Sequence, residues 1–204
     1  MARTSAYSKQ TIISTALDIV REKGENALTA RNLGSALGCS TSPLFTVCGS
    51  FEEIRKEVRH EAAKVFAEYV NGALDYIPAF KEYGLRLVRF SQTEPHLYKM
   101  LFLSPEKSDA VLNTVFDQCS QDMMNEYGLS EEEVNLLGKL VWTFTCGLSM
   151  LVITGAEKYS IEEVSQLLSY QFAAVISMIK SGAKVENIVP RLRAEGEGHV
   201  IPLK

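Results

Sequence analysis

Histidine is scarce in this 204-residue chain: only His60, His96 and His199 occur, far apart along the sequence. HExxH, GxSxG, P-loop and GxGxxG patterns are all missing, and with them the usual signatures of zinc hydrolases, serine hydrolases and common nucleotide-binding loops. No catalytic residue, cofactor or metal ligand is therefore expected. The four cysteines, Cys39, Cys48, Cys119 and Cys146, lie 9, 71 and 27 positions apart. That spacing fits neither paired zinc ligands nor a small secreted disulfide framework, so free thiols are expected. Long hydrophobic runs are also lacking. The longest, about Phe144 to Ile153, is broken by Thr145, Gly147 and Ser149 and falls short of the ~20 residues that span a bilayer. Near the amino terminus, Asp18, Arg21, Glu22 and Lys23 interrupt any signal-like apolar stretch. A cytoplasmic protein with no membrane partner is expected. Sustained alternation of apolar and polar residues is absent too, which removes the main signal for half-buried strands.

Neither sign of charge dominates: Lys and Arg total 21 against 25 Asp and Glu, a formal charge of −4. The excess is uneven. Residues 1–60 carry eight basic and six acidic side chains, net +2, and the remainder is net −6. An apolar fraction of 46% with 23% charged residues matches an ordinary globular chain and excludes a wholly disordered one.

What is present is a series of helix signals. Ser50-Phe51-Glu52-Glu53, Ser130-Glu131-Glu132-Glu133 and Ser160-Ile161-Glu162-Glu163 fit capping boxes, in which Ser accepts the N3 amide and Glu reaches back to the N-cap amide. Hydrophobic staples pair Leu129 with Val134 and Tyr159 with Val164, and mark earlier starts through Tyr7 with Ile12 around Ser8 and Leu28 with Leu33 around Thr29. The first helix places Ile12, Ile13, Ala16, Leu17 and Val20 on one face and stops at Gly24. A short second helix from about 30 ends at Gly38, and a very short third, 41–47, opens at Ser40 with Pro43 at its third position. From Ser50 an apolar series runs by threes and fours through Ile54, Val58, Ala62, Val65, Phe66, Tyr69, Val70, Ala73, Leu74 and Ile77 to Pro78, one long amphipathic helix. Further helices are expected over 79–92, 94–103, 107–127, 131–154 and 161–180. After 182 the chain loses periodicity and reads as an irregular tail, 183–204, with one helical turn near Glu186. The fold class is all-α with about nine helices.

Two short helices joined through a glycine-containing turn and packed on a preceding helix make a helix-turn-helix, whose second member enters the DNA major groove. The stretch from Ser8 to about Phe66 resembles the DNA-binding domain of the TetR family of transcriptional regulators. The resemblance is carried by Leu28-Thr29-Ala30-Arg31-Asn32-Leu33-Gly34-Ser35-Ala36-Leu37-Gly38, then Cys39-Ser40-Thr41-Ser42-Pro43-Leu44-Phe45, then Gly49-Ser50-Phe51-Glu52-Glu53-Ile54. It implies a three-helix DNA-binding domain at 6–66, a helical-bundle ligand-binding and dimerisation domain at 67–182, and a homodimeric, ligand-responsive regulator, usually a repressor, bound to a palindromic double-stranded DNA operator.

Residue by residue, the resemblance implies phosphate contact from the Thr29 cap and from Arg31, and contact with backbone and bases from Ser40, Thr41, Ser42, Leu44, Phe45 and Thr46. Arg3 and Lys9 can add phosphate contacts. Phe45 matches a frequent tyrosine of the family and, lacking the hydroxyl, can only pack or touch a thymine methyl. Three departures stand out. Cys48 replaces a customary aromatic, Phe51 a common phosphate-contacting lysine, and Val47 a usual His or Tyr. Loss of one phosphate contact flattens the salt dependence by about 0.9 per half-site. A recognition helix without charge points to modest, T-tilted specificity. A protein of the same shape that has lost DNA binding and acts as a ligand- or partner-binding adaptor is the alternative. Nothing near Cys48 other than a helix start at Ser50 lowers its pKa, so it is expected to be structural.

By the same resemblance an effector pocket lies within the bundle between the long fourth helix and the penultimate one. Candidates by position are Phe66, Tyr69, Tyr83, Phe90, Tyr98, Met100, Phe102, Trp142, Cys146 and Met150, a composition suited to a small, mostly apolar effector with one or two polar handles. The last two helices are apolar on more than one face. One face serves the subunit and another a second copy, through Leu136, Leu140, Phe144, Leu148, Leu168, Phe172, Val175 and Ile179, with Gly147 permitting close approach.

Overall fold

The computed structural model describes residues 7–71, 79–105 and 109–182. Among them nine α-helices and no strand occur: α1 (Lys9–Lys23), α2 (Ala30–Leu37), α3 (Ser42–Cys48), α4 (Phe51–Val70), α5 (Ala79–Thr93), α6 (Pro95–Phe102), α7 (Ala110–Tyr127), α8 (Glu131–Ile153) and α9 (Ile161–Lys180). The caps explain most of the starts. Ser8 accepts the Thr11 amide, Thr29 that of Asn32, and Ser130 and Ser160 form complete capping boxes with Glu133 and Glu163. Both members of each expected staple are packed together in the core.

Several local expectations are corrected. At Ser50 only half of the capping box forms: its side chain accepts the Glu53 amide, but its own amide donates to Cys48 O at 3.1 Å and does not need the glutamate. α3 begins at Ser42, with Pro43 at its second position. Thr41 is already helical in φ and ψ and its side chain caps nothing. α4 stops at Val70 with Asn71 as its cap, so the stretch containing Ala73, Leu74 and Ile77 lies outside the described residues. α7 starts at Ala110 because Asp109 is extended and accepts the Val111 amide. Arg3 and the tail 183–204, including the turn near Glu186, lie outside the described residues. The hydrophobic run noted in the sequence extends further than read. Among the described residues α8 alone is long and apolar enough to cross a bilayer by length and composition, yet it packs against α5, α7 and α9.

One core runs through the molecule. Ile12, Ile13, Ala16 and Val20 of α1 meet Leu28, Leu33, Leu44, Ile54 and Val58, and the same cluster continues through Ala62, Phe66 and Val70 of α4 to Leu97, Tyr98 and Leu101 of α6 and Leu112 and Val115 of α7. α4 is thus shared by the amino-terminal head and the body. Two smaller clusters complete the body, Met123, Leu129, Val134, Leu137 and Val141 under α9, and Leu85, Val88, Leu148, Val164 and Leu168 at the opposite end of α8.

Buried polar groups fasten α4 to its neighbours. Arg59 donates to the carbonyl oxygens of Met100 and Leu101, the latter at 2.9 Å. Arg86 pairs with Glu82 at 2.7 Å and donates to the carbonyls of Tyr69 and Val70, at 3.3 and 2.8 Å. The carbonyls at the ends of α4 and α6, which helix geometry leaves without amide partners, are satisfied in this way.

Candidate nucleic-acid interface and ligand cavity

α2, the turn and α3 form a compact helix-turn-helix on α1 and α4. Gly38 adopts φ +67, a left-handed stop to α2 that favours glycine. The turn folds back so closely that a Cβ on Gly34 would lie 2.9 Å from Cys39 O. The Cys39 amide donates to Gly34 O at 2.9 Å, and the Tyr7 hydroxyl reaches Leu37 O at 2.7 Å. Leu33 and Leu44 lock the two helices onto the core.

The outer face of this unit is polar and open. Thr29, Arg31, Ser40, Thr41, Ser42, Phe45 and Thr46 are exposed, Phe45 at 40%. The hydroxyls of Ser40, Thr41 and Ser42 bond to no described residue, whereas Thr46 donates its hydroxyl to Ser42 O at 3.1 Å. Many cations of the head are already engaged. Lys9 pairs with Glu57 at 2.9 Å, Arg21 holds Glu94 through two nitrogens, and Arg55 approaches Glu25 at 4.0 Å while lying over the Phe51 ring. Lys23, Arg31 and Lys56 stand outside any ion pair among the described residues. Burial pushes the Cys48 thiol above its ordinary value, despite the opposing charge of Lys9, which argues against a reactive thiolate.

Within the body α4, α5, α7 and α8 line a cavity of about 430 Å³ that opens to solvent, in the range of roughly 300–1,000 Å³ typical of small-molecule sites. Five rings form an edge-to-face ladder, Phe90–Phe66–Phe102–Trp142–Phe116, with centroids 4.9–5.4 Å apart. Phe66, Trp142 and Phe116 face the cavity, joined by Val70, Leu87, Val115, Met123 and Val141. Gly84 and Gly138, on the facing helices α5 and α8, also line it. Tyr83 forms part of the wall and donates to Asp122 Oδ2 at 2.9 Å; Gln118 donates to the other oxygen of Asp122 at 2.9 Å. Burial and the adjacent carboxylate raise the Tyr83 phenol well above its usual range. Cys119 is a neutral wall group whose thiol burial pushes up to about 12. Polar groups at the lining are Ser120, Asn135, Lys139 and Thr145. Among the described residues no group of three or more His, Cys, Asp or Glu side chains could hold a metal.

No family profile and no curated protein matches the chain. Solved structures do. A TetR-family transcriptional regulator from Streptomyces coelicolor superposes with a TM-score of 0.65 at 15% identity, over 88% of this chain and 84% of that one. ActR without ligand, also from Streptomyces coelicolor, gives 0.61 at 16% identity over 87% and 98%. The TetR-family regulator PfmR from Thermus thermophilus gives 0.51 at 19% identity over 81% and 97%. The chain has the TetR-regulator fold.

Within this TetR-like frame the residues picked from sequence separate by burial. Leu44 is fully buried and belongs to the head's core, not to its outer face. In so short a helix nothing in the pattern distinguishes it from its neighbour Phe45. Lys9 is bonded to Glu57 and does not stand free for phosphate. Of the pocket candidates, Phe66, Tyr83 and Trp142 line the cavity. Tyr69 packs on the ladder's Phe90 at 5.5 Å and the buried Tyr98 on its Phe102 at 5.2 Å, and none of the four lines the cavity. Met100 is buried in the core, and Cys146 and Met150 are half-buried outside the lining. Sequence reasoning missed Phe116, Cys119, Ser120 and Met123 of α7 and Asn135, Gly138 and Lys139 of α8, because which faces of these two helices meet is set by packing and not by local sequence.

On the last two helices Leu136 and Leu140 are exposed, at 46% and 38%, as are Leu151 and Tyr170. Phe144, Phe172, Val175 and Ile179 are half-buried against α8 or α9 clusters of the same subunit. Leu148 and Leu168 are corrected: both are 5% exposed and meet each other and Leu85 inside the subunit. Gly147 is exposed, with nothing near where a Cβ would stand.

Proposed function

We propose that the protein is a homodimeric, ligand-responsive DNA-binding transcriptional regulator, a repressor acting on a palindromic operator inside the cell, and not an enzyme. The observation that carries this reading is the outer face of the helix-turn-helix. Ser40, Thr41 and Ser42 at the start of α3 and Thr29 and Arg31 at the start of α2 are all exposed, and the three hydroxyls of α3 bond to no described residue, groups suited to phosphates and base edges. Contacts to thymine methyls would come from Phe45. The exposed Leu136, Leu140, Leu151 and Tyr170 on α8 and α9 support pairing with a second copy about a two-fold axis, which presents two heads to two half-sites. The cavity supports control by a small molecule, and one structural neighbour, ActR, has been solved in complex with (S)-DNPA.

A binding titration on duplex DNA from upstream of the protein's own gene, repeated at several salt concentrations, tests the reading. A regulator loses affinity with a slope of about −0.9 per neutralised phosphate, and Thr41→Ala weakens it. The second reading, an adaptor of the same shape that no longer binds DNA, is favoured by one observation: α3 carries no charged side chain and Lys9, Arg21 and Arg55 are occupied by carboxylates. Absence of any salt-sensitive binding in the same titration supports that reading instead.

A further inference from the structure

Resting on the reading of the cavity as a ligand site, we infer that its ligand is an amphipathic organic anion: an apolar, ring-bearing body among Phe66, Phe116 and Trp142, with a single carboxylate, sulfonate or similar group held at the mouth by Lys139. The charge inventory leads there. Seventeen described residues line the cavity, and Lys139 is the one charged side chain among them. It is exposed and forms no ion pair with any described residue, although α8 begins with three glutamates, Glu131, Glu132 and Glu133. Asn135, one turn earlier on the same helix, and Ser120 across the gap on α7 also line the cavity. An ammonium donor and an amide donor one helical turn apart suit one anionic group.

Among the described residues the other charges that act on the wall lie outside the lining: Glu126 acts on Cys119, and Arg86, which acts on Tyr83, is paired with Glu82. Asp122 stands behind Tyr83, outside the lining, and both of its oxygens accept hydrogen bonds, from Tyr83 and Gln118. The Cys119 thiol, at about 12, and the raised Tyr83 phenol are neutral near pH 7. Thr145 donates its hydroxyl to Val141 O at 2.8 Å and Ser120 to Phe116 O at 2.9 Å, which leaves oxygens that can only accept. A cationic ligand would meet Lys139 with no compensating carboxylate in the wall. A neutral apolar ligand would fill the aromatic end and leave Lys139 unused. The body of the ligand is bounded by space: at Gly138 an added Cβ would meet only Met123 Cε, at 3.9 Å, so the cavity owes part of its width to that glycine.

The test compares two fluorescent probes of nearly the same shape, 1-anilinonaphthalene-8-sulfonate and its uncharged counterpart N-phenyl-1-naphthylamine, on the full chain. Trp142 is the one tryptophan in the sequence and lines the cavity, so the part of its quenching that a cavity-filling substitution removes reports occupancy of this site. The sulfonate is expected to bind about tenfold more tightly than the amine, and Lys139→Gln to remove that preference while leaving the amine within about twofold. Lys139→Arg keeps the preference, and Gly138→Leu, which fills the cavity, abolishes quenching by both probes. Equal affinities in the native protein, or a preference unchanged in Lys139→Gln, overturn the anion assignment and leave the cavity as a ligand site. If neither probe quenches Trp142, the cavity reading itself falls, and this inference with it.

Discussion

The imidazole of His96 closes over Gly24, so that a Cβ added to the glycine would come within 3.1 Å of the ring Nδ1. This contact joins the last turn of α1, in the head, to the first turn of α6, in the body, and Arg21 and Glu94 bond across the same seam. Gly24 also holds φ at +83, a conformation that L residues with a side chain adopt at a cost.

Gly24→Ala therefore combines backbone strain with a displaced His96. The expected loss is about 1–3 kcal/mol, read as a lower urea midpoint. His96→Ala in the same background recovers only the steric part. If Gly24→Ala alone matches the native midpoint, this account of the seam is wrong.

Arg59 is 6% exposed and satisfies two carbonyls at the end of α6. Arg59→Leu leaves both without a donor and should cost about 2–4 kcal/mol. Arg59→Lys should recover little, because one ammonium cannot reproduce the planar fork that serves two oxygens at once. Urea denaturation of the three proteins checks the order.

Leu44 and Phe45 are adjacent but opposite in role. Leu44→Ala empties a fully buried position and should destabilise by about 2–5 kcal/mol. Phe45→Ala alters a side chain that is 40% exposed, so its melting temperature should stay near native while DNA affinity falls. A Phe45→Ala variant that melts early with unchanged DNA binding would reverse the assignment.

Acid sensitivity is expected at the start of α8. The Ser130 amide and hydroxyl, bonded to Glu133 at 2.8 and 2.9 Å, hold its carboxyl below the ordinary 4.5. A depressed folded-state pKa contributes stability that is present above about pH 4.5 and is lost as pH falls through the folded value. The melting-temperature difference between native protein and Glu133→Gln should thus shrink as pH is lowered from neutral to about 3. A difference that stays constant over that range contradicts the assignment.

Helix starts were legible because caps are local: Ser8, Thr29, Ser130 and Ser160 each act within four residues of chain. The helix-turn-helix was legible for a related reason, since Gly34, Gly38 and the staple at Leu28 and Leu33 are all near neighbours in sequence. Which face of an apolar helix turns inward was not. Leu140 and Leu148 read alike on α8, and only the positions of α5 and α9 separate the exposed one from the buried one. Nothing in the local sequence pattern singles out Arg59, because the carbonyls it serves lie over 40 residues away. Lys139 escaped notice similarly: its significance depends on the absence of other charges in a wall built from four helices.

The core that passes from α1 along α4 into α6 and α7 has a thermodynamic corollary. Because one cluster of buried side chains spans head and body, the described part of the chain should melt in a single cooperative step, and a fragment ending near residue 66 would bare Ala62 and Phe66 to solvent and fold poorly. Occupancy of the cavity, whose wall includes Phe66 of that same core, then raises the melting temperature of the whole cooperative unit by mass action. Hydrogen exchange at the amides of α3 would slow when ligand is added, even though no ligand atom comes near them.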